Sequence, residues 1–462
     1  MVLTFSLNFD IMSMITEQVT PRNLNENRRV VVTGLGLVTP LGLDVEENWA
    51  KLLSGTSGIR RVTLPDAESS PVQAVGEVVS RDYETLQQAL GDHGRREGER
   101  RTLFALWAAR QAWKDASPDW RGPERKRCGV ILAAGLGIDN LDDIARWTDQ
   151  DGQFQYQHFK EQYQQVSPDS LMRNPSNRPA ALIAQEFGLE GRNATVTSAC
   201  ASATQALGIA YHAIRRGEAE MMLAGGADSM INPVGLVFFV LLGAAAVSTA
   251  SPEHLCRPFD RKRSGLVMGE GAGMVLLEEL SHALRRGAHI HAEVSGYGSS
   301  LDAYRLTAPH TEGRGAIASM AGALRDAGLD PSGIDYINAH ATGTKLNDYT
   351  ETLAIKAVFG EHARRLAISS SKSMIGHLLA GSGGPEFIYT VLSVQRDQIH
   401  PTINLTHPDP KCDLDYVTEG YRTTPVRAAL SNSFGFGGQN ATIVVNKFPR
   451  SPVDQQAIAV YL

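Results

Sequence analysis

Cysteine is scarce in this chain. There are four in 462 residues, at positions 128, 200, 256 and 412, and no two stand in a CxxC or CxxH spacing. That spacing excludes a disulfide framework and a finger-type zinc site, predicts no bound metal, and points to a reducing, cytoplasmic compartment. Long apolar runs are also missing. The longest, residues 234–247, is shorter than the roughly 20 residues of a membrane span. It predicts a buried segment that lines a pocket or a subunit contact. Basic charge is not in excess: 44 Lys and Arg face 50 Asp and Glu, a net charge of −6. A general nucleic-acid binder is thereby excluded. The first 15 residues lack a basic start and a small-residue cleavage site, so no signal peptide is expected. Residues 1–28 are predicted to form a flexible extension, with Met12 or Met14 as alternative starts.

What the chain has in quantity is glycine, 44 residues, and 42% hydrophobic residues. The length supports a large core and about two or three domain-sized units. Strand-like runs at residues 29–36, 128–135, 193–196, 220–228 and 269–278 alternate with helical spacing, as in an α/β domain. The glycines of Gly34-Leu35-Gly36 resemble half of a dinucleotide fingerprint, but Thr39 stands where the third glycine belongs, so a tight strand-to-loop turn is expected. Residues 81–127 read as charged and helical, with Arg95, Arg96, Arg100 and Arg101 as a solvated face or a dock for an acidic partner. Residues 148–165 read as a surface excursion. A second α/β set begins near residue 291, which suggests duplication, although no residue-level repeat is visible.

The stretch with most chemical content is Thr195-Val196-Thr197-Ser198-Ala199-Cys200-Ala201-Ser202. A short strand ends there, and apolar positions at Ala203, Leu207, Ala210, Tyr211 and Ile214 then recur at helical spacing. Cys200 therefore falls at a helix start, where free N–H groups and the helix dipole favour an anion. A thiol so placed is expected to have a lowered pKa and to be a nucleophile. Three later segments also deliver polar residues from a strand end: His340-Ala341-Thr342-Gly343-Thr344, Lys372-Ser373-Met374-Ile375-Gly376-His377, and Asn432-Ser433-Phe434-Gly435-Phe436-Gly437-Gly438. Singly, each histidine reads as a hydrogen-bonded structural residue. Together with Cys200 they point to a site.

These four motifs, in this order, resemble those of the β-ketoacyl-acyl-carrier-protein synthases, synthase II and its type II polyketide relatives above all. The resemblance runs from about residue 29 to residue 448. It implies the thiolase fold, an α/β architecture of two similar halves in five α-β-α-β-α layers, here assigned to residues 29–288 and 289–448 with a tail at 449–462. It implies a dimer, either homomeric or with a chain-length-factor subunit. It also implies an acyltransferase reaction, the decarboxylative condensation of malonyl-carrier protein with an acyl chain held on Cys200, elongating fatty acid or polyketide chains. No cofactor is implied beyond the phosphopantetheine arm of the acyl carrier protein. By the same resemblance His340 and His377 bind the malonyl thioester, and Lys372 pairs with Glu351 behind them. Thr342 and Thr344 meet the pantetheine, Phe436 gates the site, its backbone N–H joins that of Cys200 as the oxyanion donors, and Phe434 and Gly437 complete the binding surface.

The chain departs from the family pattern in three places. Residues 241–247 carry no Arg ahead of Ser248, a proline sits early in a helix at Gly384-Pro385-Glu386, and Gln439 replaces a Thr. Three other readings compete. A non-catalytic chain-length-factor-like partner would lack the nucleophilic cysteine. A thiolase would carry a second cysteine in the last loop, where Phe434 and Phe436 stand. A cysteine hydrolase would release free acid without condensation.

Overall fold

The computed structural model describes residues 28–64, 67–118, 122–137, 145–165, 175–247 and 250–449. Both the N-terminal extension and the tail beyond residue 449 expected from the sequence lie outside these residues, apart from Arg28 and Pro449. Ten strands make the frame. In the first half they are β1 (Val30–Val38), β2 (Cys128–Ala134), β3 (Asn193–Val196), β4 (Met221–Asp228) and β5 (Gly271–Glu279). In the second half they are β6 (Ala292–Leu301), β7 (Tyr336–Asn338), β8 (Ala367–Ser369), β9 (Ala428–Gly435) and β10 (Gln439–Asn446).

The two halves repeat one plan. Across the sheet the first half runs β3-β2-β4-β5-β1 and the second runs β8-β7-β9-β10-β6. Counted within its own half, each order is third, second, fourth, fifth, first. The directions agree as well. β2 is parallel to β3 and β4, as β7 is to β8 and β9. The remaining neighbours in each half are antiparallel. The halves join edge to edge through β1 and β6, where Val30, Val31 and Val32 face Val294, Glu293 and Ala292. The duplication suggested by the alternation of elements is thus present in topology, although not in residues.

Helices complete five layers with the two halves of this sheet, the first and the second sheet. Helix α1 (Arg100–Ala116) and α2 (Arg178–Phe187) cover the outer face of the first sheet. Between the sheets lie α3 (Ser202–Arg215) and a later helix, Gly383–Arg396, which pack on each other and on strands of both halves. After α4 (Pro233–Leu241), α5 (Arg314–Ala327) and α6 (Lys345–Phe359) cover the outer face of the second sheet, and the central helix of that half, Gly383–Arg396, is α7. Being enclosed on all sides, α7 is apolar nearly throughout, and Phe387, Ile388, Val391 and Leu392 are buried with Leu207 and Tyr211 of α3.

Three local expectations change. Strand β1 does not turn at Gly34 and Gly36 but runs on to Val38. Those glycines serve close approach: a Cβ on Gly36 would lie 1.9 Å from the Ala108 carbonyl oxygen of α1. Gly36→Ala is therefore expected to cost about 2–3 kcal/mol in urea denaturation, with the m-value unchanged. The arginine cluster is not one solvated face. Arg100 pairs with Glu270 and lies over the Tyr83 ring, while Arg101 is 1% exposed and pairs with Glu99. Arg95, paired with Asp92, and Arg96 are exposed. The apolar segment at 234–247 is buried only in part, since Val237, Phe238 and Leu241 of α4 face solvent and Leu242, Gly243 and Ala244 line a cavity.

Candidate active site

The strand ends of both halves converge on one cavity of about 520 Å³. The first half delivers Cys200 in the turn between β3 and α3. That turn is tied by Ser202, whose hydroxyl accepts from the Ser198 N–H at 2.7 Å and donates to the Ala199 carbonyl at 2.6 Å. Ala199 takes a left-handed φ of 49°, which turns Cys200 towards the second half. Cys200 is 7% exposed and lines the cavity.

The second half supplies the rest. His340 follows β7, and its backbone N–H and that of Ala341 donate to the two carboxylate oxygens of Glu351, at 2.9 and 2.8 Å. Asn432 Nδ2 donates to the same carboxylate at 3.2 Å. His377 comes after the short helix Lys372–Ile375 beyond β8 and before a single 3-10 turn, Leu379–Gly381, that leads into α7. The loop holds Leu379 at a φ of 48°, and Asp228 of β4 accepts from Ala380 N–H at 2.9 Å. The Sγ of Cys200 and ligating nitrogens of His340 and His377 all lie within 4.8 Å of one another. The two rings meet edge to face, 5.2 Å apart.

Protonation follows from these contacts. His377 Nδ1 accepts from the Leu379 N–H at 3.1 Å and from Ser382 Oγ at 2.8 Å. The ring proton therefore sits on Nε2, which has no partner among the described residues. Burial, followed by the Lys372 charge, holds both histidines well below the ordinary imidazole range. Both are neutral donors at pH 7.

The thiol behaves otherwise than expected. Its helix-start position holds, yet burial outweighs it and pushes Cys200 up to about 11. Lys372 and a hydrogen bond from the Phe436 N–H pull the other way. Cys200 is thus a thiol at rest, and its proton must leave as the sulfur reacts.

The lysine's partner also differs. Lys372 Nζ pairs with Glu386 of α7, and both side chains are at most 1% exposed. Glu351 instead clamps the His340 loop and touches no cation. The signal for Glu386 was present: it is a carboxylate on a helix otherwise walled by apolar residues, and such a group needs a buried cation. Glu351 and Lys372 do not line the cavity, whereas Cys200, His340, His377, Thr342, Thr344, Phe434 and Phe436 do. Gly437 does not line it either; its N–H donates to the Leu306 carbonyl at 2.6 Å. Ser382, Asp228 and Glu386, none of them singled out as site residues from sequence, fix the His377 loop and the lysine.

One thiol and two imidazoles also make a plausible ligand set for a thiophilic cation. The Lys372 ammonium, whose field already reaches all three groups, disfavours a second cation among them.

Comparison with known proteins places this geometry. Residues 27–283 match the family described as beta-ketoacyl synthase, N-terminal domain, and residues 291–406 the corresponding C-terminal domain. The 3-oxoacyl-[acyl-carrier-protein] synthase 2 of Synechocystis is 41% identical over 424 residues, covering 92% of this chain and 99% of that protein. The Staphylococcus aureus protein of the same name is 38% identical over 426 residues, 92% of this chain and 100% of its own. Among solved structures, a type II polyketide ketosynthase in complex with its acyl-carrier protein superposes with a TM-score of 0.81 at 33% identity, covering 91% of this chain and 100% of that one. A beta-ketoacyl synthase from Burkholderia phymatum gives 0.79 at 33% identity and the same coverage. The ishigamide ketosynthase/chain length factor gives 0.78, again at 33% identity, with 91% and 100% covered. With both domains matched in order, and with a cysteine from one half facing two histidines from the other in a five-layer thiolase fold, the chain belongs to the beta-ketoacyl synthase family.

Proposed function

We propose that this protein is a 3-oxoacyl-[acyl-carrier-protein] synthase that elongates an acyl chain by decarboxylative condensation with malonyl-carrier protein. The observation that carries this reading is the convergence of Cys200, His340 and His377 within 4.8 Å in an open cavity.

The first half-reaction is acyl transfer. Cys200 Sγ attacks the thioester carbonyl as its proton passes to a neighbouring neutral imidazole. The bond to the carrier thiol breaks, and that thiolate takes the proton. The oxyanion formed on the way accepts from the backbone N–H groups of Cys200 and Phe436. The second half-reaction begins with malonyl thioester under His340 and His377. The bond from the α-carbon to the carboxylate breaks, CO2 leaves, and the electron pair passes into an enolate. Its oxygen accepts from the Nε2–H of His377 and from His340. Neutral imidazoles suit this step, because they donate without protonating the carbanion they must release. The enolate carbon then attacks the acyl carbonyl, the bond between that carbonyl carbon and the Cys200 sulfur breaks, and the thiolate takes up one proton from solvent.

Thr342 and Thr344, whose hydroxyls lie 3.0 Å apart on the cavity wall, are placed to bind the pantetheine amides. Phe434 stands 6.0 Å from the His340 ring and shapes the same channel. Lys372 acts through its field. The substrates arrive on the phosphopantetheine of an acyl carrier protein, and the chain works as a dimer, with itself or with a chain-length-factor subunit. Among the described residues no helix is long and apolar enough to cross a membrane, which supports a cytoplasmic assignment. A purely structural partner role is disfavoured, since Cys200 is present and faces an open cavity.

Incubation with a panel of acyl-carrier proteins, followed by mass spectrometry of the Cys200 peptide, tests this reading. One acyl mass is expected on that peptide, lost when malonyl-carrier protein is added and replaced by a 3-oxoacyl-carrier product. No adduct with any acyl length would overturn it.

A further inference from the structure

Gln439, the residue that departs from the family pattern at the end of the last motif, is not idle in the structure. It opens β10, directly opposite Gly435 at the end of β9, so it closes the hairpin that carries Phe436. Its Oε1 accepts from Gln205 Nε2 at 3.4 Å. Gln205 sits in the first turn of α3, and its own Oε1 accepts from the Ser198 hydroxyl at 2.6 Å. Ser198 in turn belongs to the turn that holds Cys200. One glutamine amide therefore joins the nucleophile's turn to the far side of the Phe436 hairpin. The near side is joined separately, by Thr204 Oγ1 and Ser433 Oγ at 2.7 Å. Between these two links the hairpin lies against the turn: a Cβ on Gly435 would be 2.9 Å from the Cys200 nitrogen, and Phe436, the next residue, lines the same cavity as Cys200.

We infer that Gln205 and Gln439 form a latch that positions the Phe436 N–H on the Cys200 sulfur. The pair touches neither substrate nor sulfur, so both are positioning residues that act through Phe436. The inference rests on the reading of Cys200 as the acylated nucleophile, and it adds a device that sets how readily that sulfur ionises. Without the latch the β10 side of the hairpin loses its tie, and the N–H drifts from the sulfur it stabilises.

The test is the pH profile of Cys200 alkylation by iodoacetamide, read by mass spectrometry of the Cys200 peptide in the intact protein. Gln205→Leu and Gln439→Leu keep side-chain bulk and remove the amides. Each is expected to slow alkylation at pH 8 by about 3- to 10-fold and to shift the profile to higher pH. The double variant is expected to be no slower than the slower single, since the two report one interaction. Additive effects, or an unchanged profile in folded single variants, would overturn the latch. Should Gln205→Leu fail to fold, Gln439→Leu alone must still shift the profile while thermal stability holds. Alkylation needs no carrier protein. A failed latch with normal condensation leaves the synthase reading intact, and absent condensation with coupled glutamines does the reverse.

Discussion

Cys200→Ala is expected to stop elongation while leaving malonyl decarboxylation running. The substitution removes the atom that carries the acyl group, so condensation should fall by at least about 10^4-fold, the scale seen when a covalent nucleophile is deleted. Decarboxylation depends instead on His340 and His377, which still flank the cavity and still donate. Radiolabelled CO2 should therefore be released from malonyl-carrier protein by Cys200→Ala and lost with His377→Ala. This split also separates the competing readings. A cysteine hydrolase would lose its free-acid product in the first variant and release no CO2 in either. Elongation by Cys200→Ala at anything near the native rate would end the mechanism proposed here.

The second large effect concerns the buried pair behind the site. Glu386→Ala strands the Lys372 ammonium in a region where both groups are at most 1% exposed. About 3–5 kcal/mol of stability should be lost in urea denaturation, because an uncompensated buried charge costs more than an exchanged pair. The double variant Lys372→Met/Glu386→Leu should recover most of that loss, since a well-packed apolar pair can replace a buried ion pair. Its condensation rate should not recover, because the Lys372 charge, which adds to burial in keeping both histidines neutral and favours the Cys200 thiolate, has gone. Recovery of activity along with stability would reduce the pair to packing. A pH dependence accompanies it. Burial lifts the Glu386 carboxyl from 4.5 to about 7. A carboxyl raised by folding gives its stability fully below its unfolded value and loses it as the pH rises through the folded one. Native stability should thus decline between about pH 4.5 and 7; buried Glu351, also raised to about 7, contributes to the same decline, so Glu386→Gln should remove only the Glu386 share.

Much of this site was legible in the sequence because each proposed reactive residue comes after a strand, although the one before Cys200, Asn193-Ala194-Thr195-Val196, is half polar and has no buried residue. The strand before Cys200 and the helix after it fell where the periodicity put them. What the sequence did not disclose was pairing. Lys372 was assigned to Glu351, eleven residues past His340, yet its partner is Glu386, a full connection later and on the central helix. Sequence distance carries no information about which of two carboxylates faces a buried cation. Nor could it disclose the burial of Cys200: a helix start argues for a lowered pKa, and only the walls around the sulfur show that desolvation prevails. Arg101 was misread for the same reason. A basic run looks like a solvated face until the chain wraps over it.

The repeated strand order has one further consequence. In each half the connection from the third strand to the central helix reaches the same seam; one such connection bears Cys200 and the other bears Lys372 and His377. The scaffold thus repeats its topology while its equivalent corners carry unlike residues; in the proposed mechanism, one corner forms the covalent bond and the other steadies the carbanion. The difference between the two corners is what brings a thiol and an imidazole to one seam within a single chain.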